Sequence, residues 1–366
     1  MVIGVDARAA AEVPAGRGRV VRELLEALAR LPGEHSFALF CRRPAEELEL
    51  DGRFRWHAID APDPLWHLRA ALAANRSCAV FLSTNSYLTV WFLRVPCAIV
   101  VHDLIAFRPG THPQRRAALI ERATIRPALR RAAALLCVSD ATRSDLVELF
   151  PRAASKASVA PLAVSERLRR PRSDEEVAAV RRRHGLDGPY VLFTGTLEPR
   201  KNLVRLVEAF AGLPEELRAA HTLALVGPRG WEADEIQRRV GAAGGQVRVL
   251  GFVPDDELAA LYQACTLFCY PSLYEGFGLP VLEAMTCGAP VLTSRVSSLP
   301  EVGGNGAAYV DPLDVADMRD GIARLLGSSA ERRALAERGR ARAAEFSWER
   351  TAREVLGALE RVARAA

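Results

Sequence analysis

An α/β architecture of two units, each on a parallel sheet, is predicted by three features of the sequence. The chain has 366 residues, and at ~150 residues per domain that length suggests two cores. Short apolar runs alternate with helical stretches from the start, and the alternation restarts at Tyr190 after the polar segment Pro161 to Arg183, as in successive strand–helix units. Glycines recur where strands meet helices, the phosphate-facing position of an open α/β sheet.

The elements follow in order. Val2 to Asp6 reads as a buried strand. Ala15-Gly-Arg-Gly-Arg19 opens a helix with Val20, Leu24, Leu28 and Leu31 on its apolar face. A dinucleotide fingerprint needs a third glycine where Val21 stands, so this loop alone is equally compatible with a plain turn. Phe37–Cys41, Phe54–Ile59, Cys78–Leu82 and Cys97–Val101 are the next strand candidates. The last runs into His102-Asp103, a polar pair at the carboxyl end of a strand, where α/β ligands bind; a histidine there is as often structural. Arg115 to Arg131 is an arginine-rich helix, either a solvated face or a dock for anionic lipid. Leu135–Val138 is a strand, and Ser139 caps a helix that ends at Phe150 before Pro151.

Pro161 to Arg183 is expected to be the inter-domain crossover with one short helix. The second half gives strands Tyr190–Thr194, Thr222–Val226, Val247–Leu250, Thr266–Tyr270 and Pro290–Thr293. Helices start near Asn202, Glu232 and Asp255, and another holds Glu283. The acids Asp255-Asp-Glu257 are read as a helix N-terminus rather than a metal site. The tail is helical through Met318–Leu326, Arg332–Glu345 and Trp348–Arg364, and the last helix is placed to reach back to the first domain.

Charge and cysteines narrow the function classes. The net charge is +5, divided as +8 over residues 1–170 and −3 over the rest. A basic first half suits phosphate-bearing or anionic-membrane partners. Its aromatics do not interleave with the charges, which argues against nucleic acid. No apolar run reaches the ~18 residues of a membrane span, and the opening residues lack a signal-peptide layout. Seven cysteines, mostly in apolar runs, read as buried free thiols of a reducing cytosol. Cys265 and Cys269 have no zinc-spaced partners, so no metal is expected.

Two stretches carry chemistry. Tyr270-Pro-Ser-Leu-Tyr-Glu-Gly-Phe-Gly-Leu-Pro-Val-Leu-Glu283 reads as a strand, a glycine-bent loop and a helix start, with Pro280 suited to the first turn. Glu275 falls in the loop and Glu283 about one turn into the helix, placed to face one cleft. The backbone from Gly276 through Phe277 and Gly278 to Leu279 offers N–H groups to an anion. In the other stretch, a strand ends at Gly195 and Arg200-Lys201 are expected to open a helix, an arrangement suited to a diphosphate. The chain has only two lysines, Lys156 and Lys201, against 47 arginines. A lysine at 201 therefore looks specified as a compact point charge.

Glu275 to Glu283, Glu198-Pro-Arg-Lys-Asn202, His102-Asp-Leu104 and Ser298-Leu-Pro-Glu-Val302 resemble the retaining glycosyltransferases of GT-B fold, group 1, in the subfamily that includes bacterial mannosyltransferases. The resemblance runs from Gly4-Val-Asp-Ala-Arg8 to Phe346-Ser-Trp348. It implies two Rossmann-like domains facing across a deep cleft, with C-terminal helices crossing back. Residues 1–165, joined by about 347–366, would bind acceptor, and 166–346 the nucleotide-sugar donor. Arg200 and Lys201 would hold the diphosphate, Glu283 the ribose and Glu275 the donor sugar hydroxyls. Gly195 and the Gly276 to Leu279 backbone would border the donor, and His102 would line the sugar site. Gly16 and Gly18 would allow close approach to phosphates and acceptor, with Arg17 and Asp103 on the acceptor side.

The implied reaction is metal-independent transfer of a hexosyl group, GDP-mannose favoured and a UDP-hexose next, to a glycan, lipid-linked or small-molecule hydroxyl. Cations aimed at the leaving diphosphate supply the charge stabilisation, consistent with the lack of an Asp-x-Asp triplet. The expected setting is cytoplasmic, with peripheral contact to an anionic membrane. Three departures from the family pattern stand out: Ala163 where glycine is usual, Gly303-Gly-Asn305 where a Gly-Asp is common, and Arg17 between its glycines where Ile is common, which bears on acceptor choice. The rival classes are a sugar-nucleotide 2-epimerase of the same fold, a non-catalytic nucleotide-sugar sensor and an NAD-dependent oxidoreductase. The missing third glycine weighs against the last.

Overall fold

The computed structural model describes residues 1–13, 16–111 and 113–365. The chain divides into two compact units. One comprises Met1–Phe107, Arg115–Leu162 and Ser347–Ala366; the other comprises Arg108–Gln114 and Ala163–Phe346.

The first unit holds a seven-stranded sheet in the order β3-β2-β1-β4-β5-β6-β7, every pairing parallel. Its strands are β1 Val2–Asp6, β2 Ser36–Cys41, β3 Phe54–Ala58, β4 Val80–Ser83, β5 Cys97–Val101, β6 Ala134–Cys137 and β7 Ala157–Val159. The central strands are buried on both faces, which is why they read as unbroken apolar runs. The helix Arg17–Arg30 buries Val20, Leu24 and Leu28 as its spacing predicted. The helix Trp348–Arg364 packs against it, and Thr351 Oγ1 donates to the Pro161 carbonyl.

The second unit holds six parallel strands in the order β10-β9-β8-β11-β12-β13. They are β8 Tyr190–Thr194, β9 Thr222–Val226, β10 Val247–Gly251, β11 Leu267–Tyr270, β12 Val291–Ser294 and β13 Ala307–Val310. In both sheets the strand order reverses beside the first strand of the unit. Ligands of open α/β sheets bind at the carboxyl ends of the strands at that reversal. In the second unit these strands are β8 and β11, which feed the two motif loops.

One local reading is corrected and three elements are added. The crossover holds two helices, Glu166–Arg169 and Asp174–Arg183, where one was expected. The second is started by a capping box between Ser173 and Glu176. Strands β7 and β13 and the short helix Arg8–Glu12 were not anticipated. The acids Asp255 to Glu257 do sit in the first turn of a helix, Asp255–Ala264, where they favour the dipole.

The arginine-rich helix Arg115–Arg131 is not uniformly solvated. It buries Ala118, Ile125, Ala128 and Leu129, and Arg122 Nε caps the Ala106 carbonyl at 2.6 Å. Its outer face exposes Leu119 (70%) and Ile120 (52%) among Arg115, Arg116, Arg126 and Arg130. Among the described residues, no helix is long and apolar enough to cross a membrane.

Candidate active site

The loop after β8 is shaped by its glycine and by an unusual asparagine. Gly195 has φ +140°, and a Cβ added at Gly227 would fall 2.1 Å from the Gly195 carbonyl oxygen, so two loop backbones touch there. Pro199–Lys201 form one 3-10 turn, and Asn202 follows in the left-handed region at φ 62° before the helix Leu203–Ala211. Arg200 and Lys201 therefore precede the helix instead of opening it, contrary to the sequence reading. Asn202 holds the turn in place: its Nδ2 donates to the carbonyls of Pro271 (3.1 Å) and Pro312 (2.6 Å). The Arg200 carbonyl accepts from Leu273 N (2.9 Å), so the loops after β8 and β11 are stitched together.

The stitching creates a buried cluster of charge. Lys201 is 6% exposed, Glu275 8% and Glu198 3%. Glu275 Oε1 accepts from Lys201 Nζ (2.6 Å), Ser272 Oγ (2.6 Å) and Tyr270 Oη (2.9 Å), and pairs with an Arg200 terminal nitrogen at 2.7 Å. The other terminal nitrogen of Arg200 meets Glu198 at 2.6 Å. Two cations thus face two carboxylates. Against the cost of burial, Arg200 and Lys201 hold the Glu275 carboxyl down to about 2. Burial and the neighbouring Arg200 lower Lys201, and burial raises Glu198. Buried charges persist only when paired in this way.

Glu283 belongs to a different network. It lies on the helix Leu279–Thr286, 5% exposed, and Oε2 accepts from Tyr262 Oη at 3.0 Å. Tyr262 in turn meets Thr194 Oγ1, the last residue of β8, at 2.6 Å. Between the two glutamates, Gly276 leads into Phe277, which packs edge-on to Phe346 with centroids 5.8 Å apart. Gly278 adopts φ +101° at the N-cap, where a Cβ would stand 2.8 Å from Leu299 Cδ2. The loop is braced by the Ser298 motif. Ser297 Oγ accepts from Glu275 N (2.9 Å), and Ser298 Oγ reaches the carbonyls of Glu275 (3.0 Å) and Phe277 (2.8 Å).

The remaining candidates lie in the first unit. His102 Nε2 is 2.7 Å from the Thr84 carbonyl, so Nε2 carries the proton and Nδ1 is left as an acceptor. Burial and the Arg17 guanidinium hold this imidazole down to about 4. Arg17 meets Asp103 at 3.3 Å and Asn85 at 3.5 Å with its side chain 47% exposed. Glu121 bears on the same group: burial and Asp103 raise its carboxyl to about 7. Gly16 has φ +56° with open space around it. At Gly18 a Cβ would fall 1.7 Å from the Val13 carbonyl oxygen, so its missing side chain is used by the chain's own packing.

The sequence reading missed Glu198, Tyr262, Tyr270, Ser272 and Glu121. Glu198 opens the Glu198-Pro-Arg-Lys-Asn202 motif, and its charge beside Arg200 was the available signal. Among the described residues, no group of three or more His, Cys, Asp or Glu side chains is placed to hold a metal.

Known proteins match both units. Residues 176–342 fit the family model for glycosyl transferases group 1, and residues 14–168 the model for glycosyltransferase family 4. The O-antigen chain mannosyltransferase B of Escherichia coli is 41% identical over 261 residues, 70% of this chain and 68% of the relative. The serotype-specific mannosyltransferase WbdA of E. coli is 36% identical over 227 residues, 61% of this chain but 28% of that longer protein. Among solved structures, sucrose-phosphate synthase from Thermosynechococcus elongatus superposes with a TM-score of 0.79 at 22% identity, covering 100% of both chains. The chain belongs to the group 1 glycosyltransferases, carries the GT-B fold and sits among their mannosyltransferase-like members.

Proposed function

We propose that this glycosyltransferase moves a hexosyl group, mannosyl from GDP-mannose first and a UDP-hexose next, onto an acceptor hydroxyl with retention and without a metal. The buried cluster of Arg200, Lys201, Glu198 and Glu275 at the β8–β11 reversal carries this reading. The bond from the anomeric carbon to the diphosphate oxygen breaks, and a bond to the acceptor oxygen forms on the same face. The acceptor proton leaves with the released diphosphate. Negative charge grows on that diphosphate, and Arg200 and Lys201 are the nearby cations that stabilise it.

In this reading Glu275 and the Gly276 to Leu279 backbone take the sugar, and Glu283 the ribose. The first unit, with Gly16, Arg17, His102 and Asp103, serves sugar and acceptor. The relative's name, an O-antigen chain mannosyltransferase, supports a mannosyl donor and a growing glycan as acceptor. A lipid-linked glycan suits the outer face of Arg115–Arg131, where exposed Leu119 and Ile120 stand among arginines as for peripheral contact with an anionic membrane on its cytoplasmic side.

The test is a panel of GDP-, UDP- and dTDP-hexoses, with and without mannosyl oligosaccharide acceptors and with and without EDTA. Free nucleoside diphosphate and the anomeric configuration of the product are followed. GDP-mannose should give the fastest release, unaltered by EDTA, and an α-linked product. Epimerisation at C2 without nucleotide release would refute transfer.

A further inference from the structure

We propose that Tyr270 is a positioning residue, a neutral donor that, with Ser272, keeps Glu275 compensated when Arg200 and Lys201 turn from it to a bound diphosphate. The inference rests on the donor-site reading above and deepens it. Three hydrogen-bond donors, Lys201, Tyr270 and Ser272, and the Arg200 ion pair at 2.7 Å converge on Oε1 of Glu275. One carboxylate oxygen has about two lone-pair sites, so four such partners exceed what it can serve well. Two of the partners are cations that a diphosphate competes for, and two are neutral hydroxyls that it does not.

Removal of both cations without replacement would strand a buried carboxylate, a costly state. Tyr270 and Ser272 prevent it. Tyr270 is 0% exposed, with its ring stacked on Phe193 at 5.7 Å and on Phe268 at 5.9 Å, so its hydroxyl has a fixed address. That hydroxyl also accepts from Lys201 Nζ at 2.5 Å. It therefore touches both the cation that leaves and the anion left behind. Burial and Glu275 raise the phenol well above its usual range, so it retains the proton it donates. Ser272 is equally buried, at 0% exposed, and its Oγ lies 2.6 Å from Glu275 Oε1.

The test is a double-mutant cycle read by calorimetric binding of GDP and of inorganic pyrophosphate. Tyr270→Phe keeps the stacked ring and removes only the hydroxyl. It should weaken binding about ten-fold in the wild-type background and less than about two-fold in Glu275→Gln, where no charge needs compensation. Equal losses in both backgrounds, or none in either, would overturn the inference. If Glu275→Gln fails to unfold cooperatively, 13C-lysine labelling replaces it. Saturating GDP should then move the Lys201 signal less in Tyr270→Phe than in wild type, and an equal movement counts against the idea. Wild-type protein that binds no diphosphate would sink the donor-site reading itself, a different outcome from either of these.

Discussion

The carboxyl ends of the two sheets treat charge in opposite ways. Beyond β8 and β11, Lys201, Glu275 and Glu198 are each under 9% exposed and locked at 2.6–2.7 Å through Arg200 and Lys201. Beyond β5, Asp103 is reached at 3.3 Å by Arg17, whose side chain is 47% exposed. The first arrangement holds its cations in one place until a diphosphate competes for them, which suits a ligand part that is always the same. The second is loose enough to be retuned for different acceptors. Buried ion pairs fix geometry at the cost of desolvation, while exposed ones contribute little and move easily.

The contrast is broken most directly by removing the point charge. Lys201→Ala should lower nucleoside diphosphate release by about two to three powers of ten, the cost of a lost transition-state partner. A smaller effect is expected of Arg17→Ala in the first unit. Steady-state kinetics should show the KM for acceptor rising severalfold while donor KM stays put. If Arg17→Ala proves as damaging as Lys201→Ala, the division between a rigid and an adaptable edge is wrong.

Acid separates the two regions as well. Glu275 is held at about 2 against an ordinary 4.5. Its contribution is complete above pH 4.5 and is lost as pH falls towards 2. His102 is held at about 4 against 6.5. The unfolded chain takes up a proton that the folded one refuses, so that cost appears between pH 6.5 and 4. Thermal unfolding across pH should show Glu275→Gln flattening the lower window and His102→Gln the upper. The smallest effect belongs to the brace: Ser298→Ala removes the hydroxyl shared between the Glu275 and Phe277 carbonyls and should cost about 1 kcal/mol in denaturant unfolding.

Much of this was legible in the sequence because the signals were local. Buried parallel strands read as apolar runs, and Gly278 with Pro280 marked a loop entering a helix. β7 and β13 were missed because Ala-Ser-Val and Ala-Ala-Tyr-Val carry too little period to stand out. The turn at Arg200-Lys201 was misread because a helix start was the simpler pattern, and nothing local marks the left-handed backbone at Asn202. The charge cluster was hidden for another reason: Lys201 meets Tyr270 and Glu275 across 69 and 74 positions of chain. Only the strand order, which puts β8 beside β11, brings them together.

The chain's own composition provides the decisive probe. With lysine only at 156 and 201, 13C-lysine labelling gives two side-chain signals, and Lys156→Arg assigns them. Addition of GDP should shift the Lys201 signal and leave Lys156 where it is, since Lys156 Nζ is tied to the carbonyls of Leu129, Arg130 and Ala132. A Lys201 signal indifferent to GDP, UDP and pyrophosphate would contradict its role as the diphosphate cation.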